Sequence, residues 1–457
     1  MSDHIYALKE IVGERYVLTE AADKEAYETP WRGEKGNAVC VVRPKNQAEI
    51  SQVIGYLSTH GLSFVTQSGN TGLVGASTPD QSGEQVLLSL NRLTETIEIN
   101  VANKSARVSA GVRLSTLNKI AAEYGLFFPI DLSADPCIGG MAATNTGGGR
   151  LLKYGDVRQN LLGLSVVLKD GFILKLDSAL HKNNTGLDLK QIFIGTGGQS
   201  GVITECIVKL SIIPKQSVTA LIVPKSDEIL SKLLVACEDE FGDELSAFEG
   251  MSKNAIEAAF THNKSNLKNG FYEAIPDYVC LIELNRSWNI KEGETSLDNA
   301  LQMGLNNIIE KDASLIQDAL FGHTDEHWKL RHALSEAVQN DGKMIGFDLS
   351  FERDKAIAFR SFVQKSLPEN FADIKMCDFG HIGDGAIHCN FVIAEDDPRL
   401  QDAEFIENFK SWVFEKTVQD FQGSYSAEHG IGPSNQAAYE KYTPDRIKKI
   451  AYQILLD

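Results

Sequence analysis

The pattern of apolar and polar positions changes texture once along the chain. Over residues 36–213, short Val/Ile/Leu runs are separated by glycine-rich turns. Ala38–Val42, Phe64–Gln67, Val86–Leu90, Ala106–Ala110, Leu164–Leu168 and Val202–Leu210 read as strands. Apolar positions recurring every three or four residues predict helices over Gln47–Thr59 and Leu114–Tyr124. Beyond Pro214 the glycines thin out. Helices are predicted near Asp227–Phe241, Leu297–Glu310, His323–Gln339 and Ala403–Gln419, and strands near Tyr278–Leu284, Met344–Phe351 and Ala386–Val392. After Gly423 come one more glycine-rich motif and an amphipathic terminal helix. The order predicts an α+β chain: a first unit over 1–215, with its core at about 34–213, an inserted antiparallel α/β unit over 216–422, and a C-terminal segment, 423–457, returning to their junction.

Composition narrows the class without reaching the chemistry. At 457 residues, 43% apolar and 23% charged, the chain can bury a large core. A net charge of −18 argues against a nucleic-acid partner, which needs a basic surface. Cys40, Cys137, Cys206, Cys237, Cys280, Cys377 and Cys389 are scattered, with no C-x-x-C, and read as buried thiols in a reducing compartment. The start, MSDHIYALKE, lacks the apolar stretch of a signal peptide, and no run approaches the roughly 18 apolar residues of a membrane span. The expectation is a cytoplasmic protein, with peripheral attachment to the inner membrane left open.

Three glycine-rich segments carry most of the remaining information. Gln67–Gly75 follows an apolar strand, and its amides can form an anion-binding concavity or simply a tight loop. It has neither the Gly-Lys-Ser/Thr of a P-loop nor the G-x-G-x-x-G of a dinucleotide turn. Asp135–Gly149 is dominated by small residues, which suits a large flat ligand or very close self-packing. Phe193–Thr204 is another glycine-rich turn leading into a strand.

The most pointed string is Gly380-His-Ile-Gly-Asp-Gly-Ala-Ile-His-Cys-Asn390. If Asp384-Gly385 closes a two-residue hairpin, His381 and His388 stand directly opposite, with Cβ atoms about 5 Å apart. That separation suits a shared divalent ion, and equally a hairpin with two surface histidines. Asn390, two residues on, faces the same side. In Ser426–Gly432, adjacent Glu428 and His429 point opposite ways, so that one could ligate metal while the other meets substrate. His323, His327 and His332 include a helical i, i+4 pair, but without the glutamate of H-E-x-x-H or a glycine frame they read as structural or surface groups. Arg331 and Ser335 share a helix face, fitting a carboxylate clamp or an ordinary surface arginine.

In combination and order these motifs resemble the vanillyl-alcohol oxidase / p-cresol methylhydroxylase (PCMH) flavoproteins. The nearer likeness is to the D-2-hydroxyacid dehydrogenases of that family, acting on D-lactate or D-2-hydroxyglutarate, and to the glycolate oxidase flavin subunit. The family's proline before the first helix matches Pro44, its G-G-x-T-G-L matches Gly69–Leu73, and its D-P…G-G…N-x-G-G is approximated by Asp135, Pro136, Gly139, Gly140, Asn145, Gly147 and Gly148. T-G-Y-D-L corresponds to Thr185–Leu189, with Leu187 for the tyrosine. G-H-x-G-D-G-x-x-H and S-A-E-H-G-x-G match here, with Ala386 for a frequent asparagine. The acidic residue of the family's third glycine turn is replaced by glycine within Gly195–Gly201, and Thr146 replaces an alanine. The family's terminal D-P…N-P-G-K strand is not in this chain, which stops at Leu455-Leu456-Asp457.

The resemblance implies a two-part PCMH-type FAD-binding domain, an antiparallel substrate (cap) domain and non-covalent FAD. By it, Ser68, Gly69, Asn70, Thr71, Gly72 and Leu73 would hold the pyrophosphate. Asp135, Pro136, Gly139, Gly140, Thr144, Asn145, Gly147, Gly148, Gly201, Val202 and Ile203 would line the isoalloxazine and ribityl groups. His381, His388 and Glu428 would bind zinc or manganese, His429 would be the general base, and Arg331, Ser335 and Asn390 would meet the substrate. In hydroxyglutarate enzymes a lysine two residues before the strand aspartate meets the distal carboxylate. Here that position is Gly346, so a smaller or differently charged 2-hydroxyacid also fits. Lys343 lies on the opposite face. The implied reaction oxidises a D-2-hydroxyacid to the 2-oxoacid with hydride transfer to flavin N5. Electrons would pass to a quinone or electron-transfer flavoprotein rather than to NAD or oxygen, and a homodimer is one assembly it allows. An oxygen-using flavin oxidase of the same fold and a catalytically silent flavin-binding subunit are the alternative readings.

Overall fold

The computed structural model describes residues 2–262, 271 and 274–456. The fold is α+β. Ala38–Val42, Gln85–Ser89 and Phe64–Gln67 form a parallel sheet, extended by an antiparallel pairing with Val17–Leu18. The helix Gln47–Thr59 covers it. Asn46 caps this helix by accepting from the Glu49 amide at 2.9 Å, and Ile50, Val53, Ile54 and Leu57 form its buried stripe. Five antiparallel strands follow, in the order Ile97–Asn100, Ser105–Ser109, Val202–Lys209, Leu161–Val167, Ile173–Leu176.

The later residues build one large antiparallel sheet. Its order is Ile316–Phe321, Gln216–Pro224, Tyr278–Arg286, Leu245–Ser252, Phe379–Gly380, Ala386–Ile393, Lys343–Ser350. Helices Leu230–Phe241, Leu297–Lys311, Arg353–Asn370 and Ala403–Glu415 pack one face in a single apolar cluster. Lys253–His262 and Thr324–Asn340 pack the other face. No helix among the described residues is long and apolar enough to cross a membrane. All seven cysteines are buried, and burial pushes the thiols of Cys206, Cys237 and Cys377 up to about 12.

Most predicted elements stand within a residue or two of their expected ends. Strands Gln216–Pro224, Leu245–Ser252 and Ile316–Phe321 and helices Lys253–His262 and Arg353–Asn370 were not predicted. Leu245–Ser252 is buried throughout yet carries Glu249 and Gly250, and Ile316–Phe321 is an edge strand with exposed positions, so neither shows clean alternation. The second glycine segment departs furthest from an open loop, because Ile138–Thr144 is a helix. Its glycines serve close approach: a Cβ on Gly139 would stand 2.4 Å from Ala110 Cβ. Gly139→Ala should therefore cost about 1–3 kcal/mol, seen as a lower urea midpoint with unchanged slope; an unshifted midpoint would show that the helix can move away.

Candidate active site

Strand parity sets the site. In Ala386–Ile393, residues Ile387, Cys389, Phe391 and Ile393 enter the apolar cluster, so His388 and Asn390 face the opposite side of the sheet. Lys343–Ser350 pairs with it in regular register, Gly346 opposite Asn390 and Asp348 opposite His388, which places all four on that side. Lys343 pairs with Ile393 and faces away, as expected.

The hairpin register differs from the prediction. Phe379, not His381, is the partner of His388. The turn is longer than two residues, with Asp384 N donating to His381 O at 3.0 Å and Gly385 N to Ile382 O at 3.3 Å. Its tip is held to the neighbouring strand, where Gly383 N donates to Phe248 O at 3.0 Å. The shift is by two residues, so each side chain keeps its face. The imidazoles of His381 and His388 still meet, ring centroids 5.4 Å apart.

Ser426–Ile431 runs beside this strand pair as irregular backbone, and helix Gly432–Tyr442 follows it. The amides of Glu428 and His429 both donate to Asp348 Oδ2, each at 2.8 Å. Glu428 Oε1 then lies 3.8 Å from His381 Nε2, 3.6 Å from His388 Nε2 and 3.8 Å from His429 Nε2. Carboxylates sit behind the rings. His381 Nδ1 is 2.7 Å from Glu249 Oε1, and the Nδ1 atoms of His388 and His429 are 3.4 and 3.5 Å from the oxygens of Asp348. This is the arrangement in which an outer carboxylate fixes an imidazole and leaves Nε2 for a cation. Ligand-type atoms of Asp348, His388, Glu428 and His429 lie within 4.8 Å of one another. That set includes Asp348 and His429 and omits His381, whereas the sequence reading had His381, His388 and Glu428. Asp348 already accepts two backbone N–H groups, which suits an outer role.

The electrostatics follow. Burial alone would raise the Glu249 carboxyl, but His381 and Arg331 hold it down to about 2. Burial likewise opposes ionisation of Glu428, and the histidines bring it down to about 2. Asp348 lies well below the carboxylate range for the same reason. His381 is raised by Glu249 against its burial, while burial prevails at His388 and lowers it.

Arg331 donates from Nε to Glu249 Oε2 at 2.7 Å, and its guanidinium lies 5.0 Å from the Phe379 ring centroid. Ser335 is half-buried one turn on. Asn390 is buried, with Nδ2 directed at the carbonyls of Cys377 and His388. His323, His327 and His332 stay outside the cluster. His327 bonds Thr219, His332 bonds Asp131, and His323 precedes the first turn of helix Thr324–Asn340.

The glycine segments assemble next to this cluster. A Cβ on Gly147 would lie 2.9 Å from Glu428 Oε2, one on Gly149 3.0 Å from the Trp328 ring, and one on Gly140 2.6 Å from Ser68 Oγ. Gly197 N donates to Ala143 O at 2.8 Å, joining the third segment to the second. Beside Gly72 the space is open. A backbone wall stripped of side chains, one edge open and the other against Glu428, fits a flat prosthetic group. Some predicted cofactor residues spend their side chains elsewhere. Asp135 holds Ser115, Asn145 bonds Asp156 and the Arg158 amide, and the Thr144 hydroxyl bonds Gly140 O. Val202 and Ile203 lie in the core. Cys137 N stands 3.1 Å from the Cβ position of Gly69, and burial raises the Cys137 thiol, which makes it a poor nucleophile.

An ion pair fixes the wall to the sheet. Arg150 donates from Nε and Nη2 to the fully buried Glu283 at 2.8 and 3.0 Å, and from Nη1 to Asp131 at 3.2 Å. Sequence reading missed Glu249, Glu283 and Arg150. The available signal was a lone carboxylate within an apolar run, as at Glu249 in Leu245–Met251.

A glycine wall beside a histidine–carboxylate cluster defines a flavin-linked oxidoreductase, and the comparisons agree. Residues 38–177 match the FAD binding domain family, and 213–449 match the C-terminal domain of FAD linked oxidases. The chain belongs to this family of FAD-linked oxidoreductases. It is 31% identical to mitochondrial D-2-hydroxyglutarate dehydrogenase of Arabidopsis thaliana, covering 98% of this chain and 78% of that protein. To the Rattus norvegicus D-2-hydroxyglutarate dehydrogenase it is 33% identical, over 93% of this chain and 77% of the other. Among solved structures, p-cresol methylhydroxylase with substrate bound aligns at a TM-score of 0.79 with 13% identity, covering 99% of this chain and 93% of that one. Alkyldihydroxyacetonephosphate synthase aligns at 0.72 with 14% identity, covering 97% and 83%.

Asp348→Asn removes the charge behind two backbone amides and should cost about 1.5–3 kcal/mol. Amide hydrogen exchange of 426–432 should accelerate while the sheet strands stay protected. Unchanged exchange in that peptide would remove Asp348 from this role.

Proposed function

We propose that this protein oxidises a D-2-hydroxyacid to the 2-oxoacid with non-covalently bound FAD, passing the electrons to a quinone or electron-transfer flavoprotein rather than to NAD or oxygen. The observation that carries the reading is the convergence of three imidazole Nε2 atoms on Glu428 Oε1, with Glu428 Oε2 against the bare wall at Gly147. In this reading 1–215 is the FAD-binding domain, 216–422 the substrate domain, and 423–457 the segment that completes the site.

FAD, when bound, supplies acceptance of the hydride leaving C2. His381, His388 and Glu428 would hold a divalent cation, zinc or manganese, whose chemistry when bound is to polarise the substrate hydroxyl. The chain's own groups do the rest. His429 takes the hydroxyl proton at Nε2, with its Nδ1 edge held by Asp348. Arg331, anchored through Nε on Glu249, offers its terminal N–H groups to the C1 carboxylate, helped by the Ser335 hydroxyl. Asn390 closes the substrate side of the strand pair.

The test is anaerobic titration of the yellow holoenzyme with a panel of D-2-hydroxyacids, expected to bleach the flavin without oxygen uptake. Rapid oxygen consumption would favour an oxidase, and failure of every hydroxyacid to bleach the flavin would favour a silent subunit. His429→Asn should lower turnover by about 10²–10⁴-fold with FAD content unchanged; near-normal turnover would reject the base. His381→Ala or His388→Ala should bring bound metal towards zero by elemental analysis, and retained stoichiometric metal would reject that ligand set.

A further inference from the structure

One basic side chain reaches the site from a segment that no motif marks. Arg32 lies in the irregular stretch between helix Ala21–Glu28 and strand Ala38–Val42, far from the sheet in sequence. Its Nη1 stands 3.3 Å from the position a Cβ would occupy on Gly346, with Asn390 Oδ1 2.9 Å from the same point. The missing side chain of Gly346 is the notch that admits the guanidinium. Gly346 shares a strand face with Asp348, two residues on, and their cross-strand partners are Asn390 and His388. Arg32 therefore reaches the same sheet face as the histidine–carboxylate cluster, one strand step of about 7 Å along it.

One N–H of this guanidinium is not spent on the fold. Arg32 Nε is buried without a hydrogen-bond partner among the described residues. Burial pulls Arg32 below its ordinary value, and the attraction of Asp348 only partly opposes this. Asp348, the anion that acts on Arg32, gives its Oδ2 to the amides of Glu428 and His429, while its Oδ1 has His388 Nδ1 at 3.4 Å and no hydrogen bond, and no hydrogen bond joins it to Arg32 among the described residues. A half-buried arginine with an unpaired Nε–H beside a substrate site has room for a further anion, and a guanidinium matches a carboxylate through two parallel N–H bonds.

We propose that Arg32, seated in the notch at Gly346, is a specificity-determining residue that binds a second carboxylate of the substrate, so that the preferred substrates are 2-hydroxydicarboxylates rather than 2-hydroxymonocarboxylates. This rests on the hydroxyacid reading above. The first carboxylate and the hydroxyl belong to Arg331 and the histidine cluster. Arg32 meets the far end of the molecule, and its reach sets the chain length accepted.

The experiment compares holoenzyme, Arg32→Met, Arg32→Lys and Gly346→Val, the last filling the notch from the opposite side. Two readouts are taken. One is the ratio of kcat/KM for D-2-hydroxyglutarate and D-malate to that for D-lactate and D-2-hydroxybutyrate. The other is the dissociation constant of 2-oxoglutarate, measured by perturbation of the oxidised flavin spectrum without turnover. Arg32→Met should lower the ratio by roughly 30-fold and weaken 2-oxoglutarate by a similar factor. Arg32→Lys should recover part of both, and Gly346→Val should reproduce the loss. An equal fall for mono- and dicarboxylates would overturn the proposal and make Arg32 a prop for Asp348. A change in flavin content with no change in ratio would overturn it in favour of a cofactor contact. If the wild-type flavin is bleached by no hydroxyacid at all, the hydroxyacid reading fails instead, and 2-oxoglutarate binding still reports on Arg32.

Discussion

The carboxylate of Asp348 is the point on which the site depends. It sits on a regular strand, yet it accepts the two amides that fix the irregular backbone at Glu428 and His429, and it backs the rings of His388 and His429. A buried negative charge of this kind is stable only with several donors around it, and the donors are the chemical groups themselves. Structure and chemistry therefore share one carboxylate. Glu249 repeats the device three strands further along the sheet, holding His381 on one oxygen and Arg331 on the other.

The large sheet divides the labour between its two faces. One face is apolar and faces four helices, which gives the strands rigidity. The other is covered in part by two helices over a second apolar cluster, and its polar groups Glu283, Asp348, His388 and Asn390 are set among those apolar positions on the side that receives the glycine wall. That wall is held in place by the bidentate pairing of Arg150 with Glu283, with Trp328 Nε1 also donating to Glu283 at 3.0 Å. Removing either partner would strand a charge in the interior, so the juxtaposition of wall and cluster is strongly specified.

How much of this could be read from sequence follows from the range of the forces involved. Period-two alternation in Ala386–Ile393 already put His388 and Asn390 on one face, and a register error of two residues left that conclusion intact. The adjacency of Glu428 and His429 was legible because it is local, but the expectation that their side chains point opposite ways fails, because the backbone there is irregular rather than extended and brings His429 Nε2 within 3.8 Å of Glu428 Oε1. The helix hidden in Asp135–Gly149 was not legible, because its glycines answer to Ala110 and Ser68 across the fold rather than to their neighbours in the chain. Glu249, Glu283 and Arg32 were invisible for the same reason: each has meaning only against a partner far away in sequence. Asp135, Asn145, Val202 and Ile203 belong to matching motifs, but their side chains serve the scaffold.

The contact of Gly147 with Glu428 joins distant parts of the chain, as does that of Arg32 with Gly346. No contiguous fragment holds a working centre. Contacts so remote are made only after a long loop has closed, which slows maturation and leaves unpaired strand edges exposed meanwhile. On the ribosome the Glu428 segment emerges after the glycine wall and the strands of the large sheet, so the complete pocket can form only once that segment has been made. The newly made polypeptide must remain soluble through that interval.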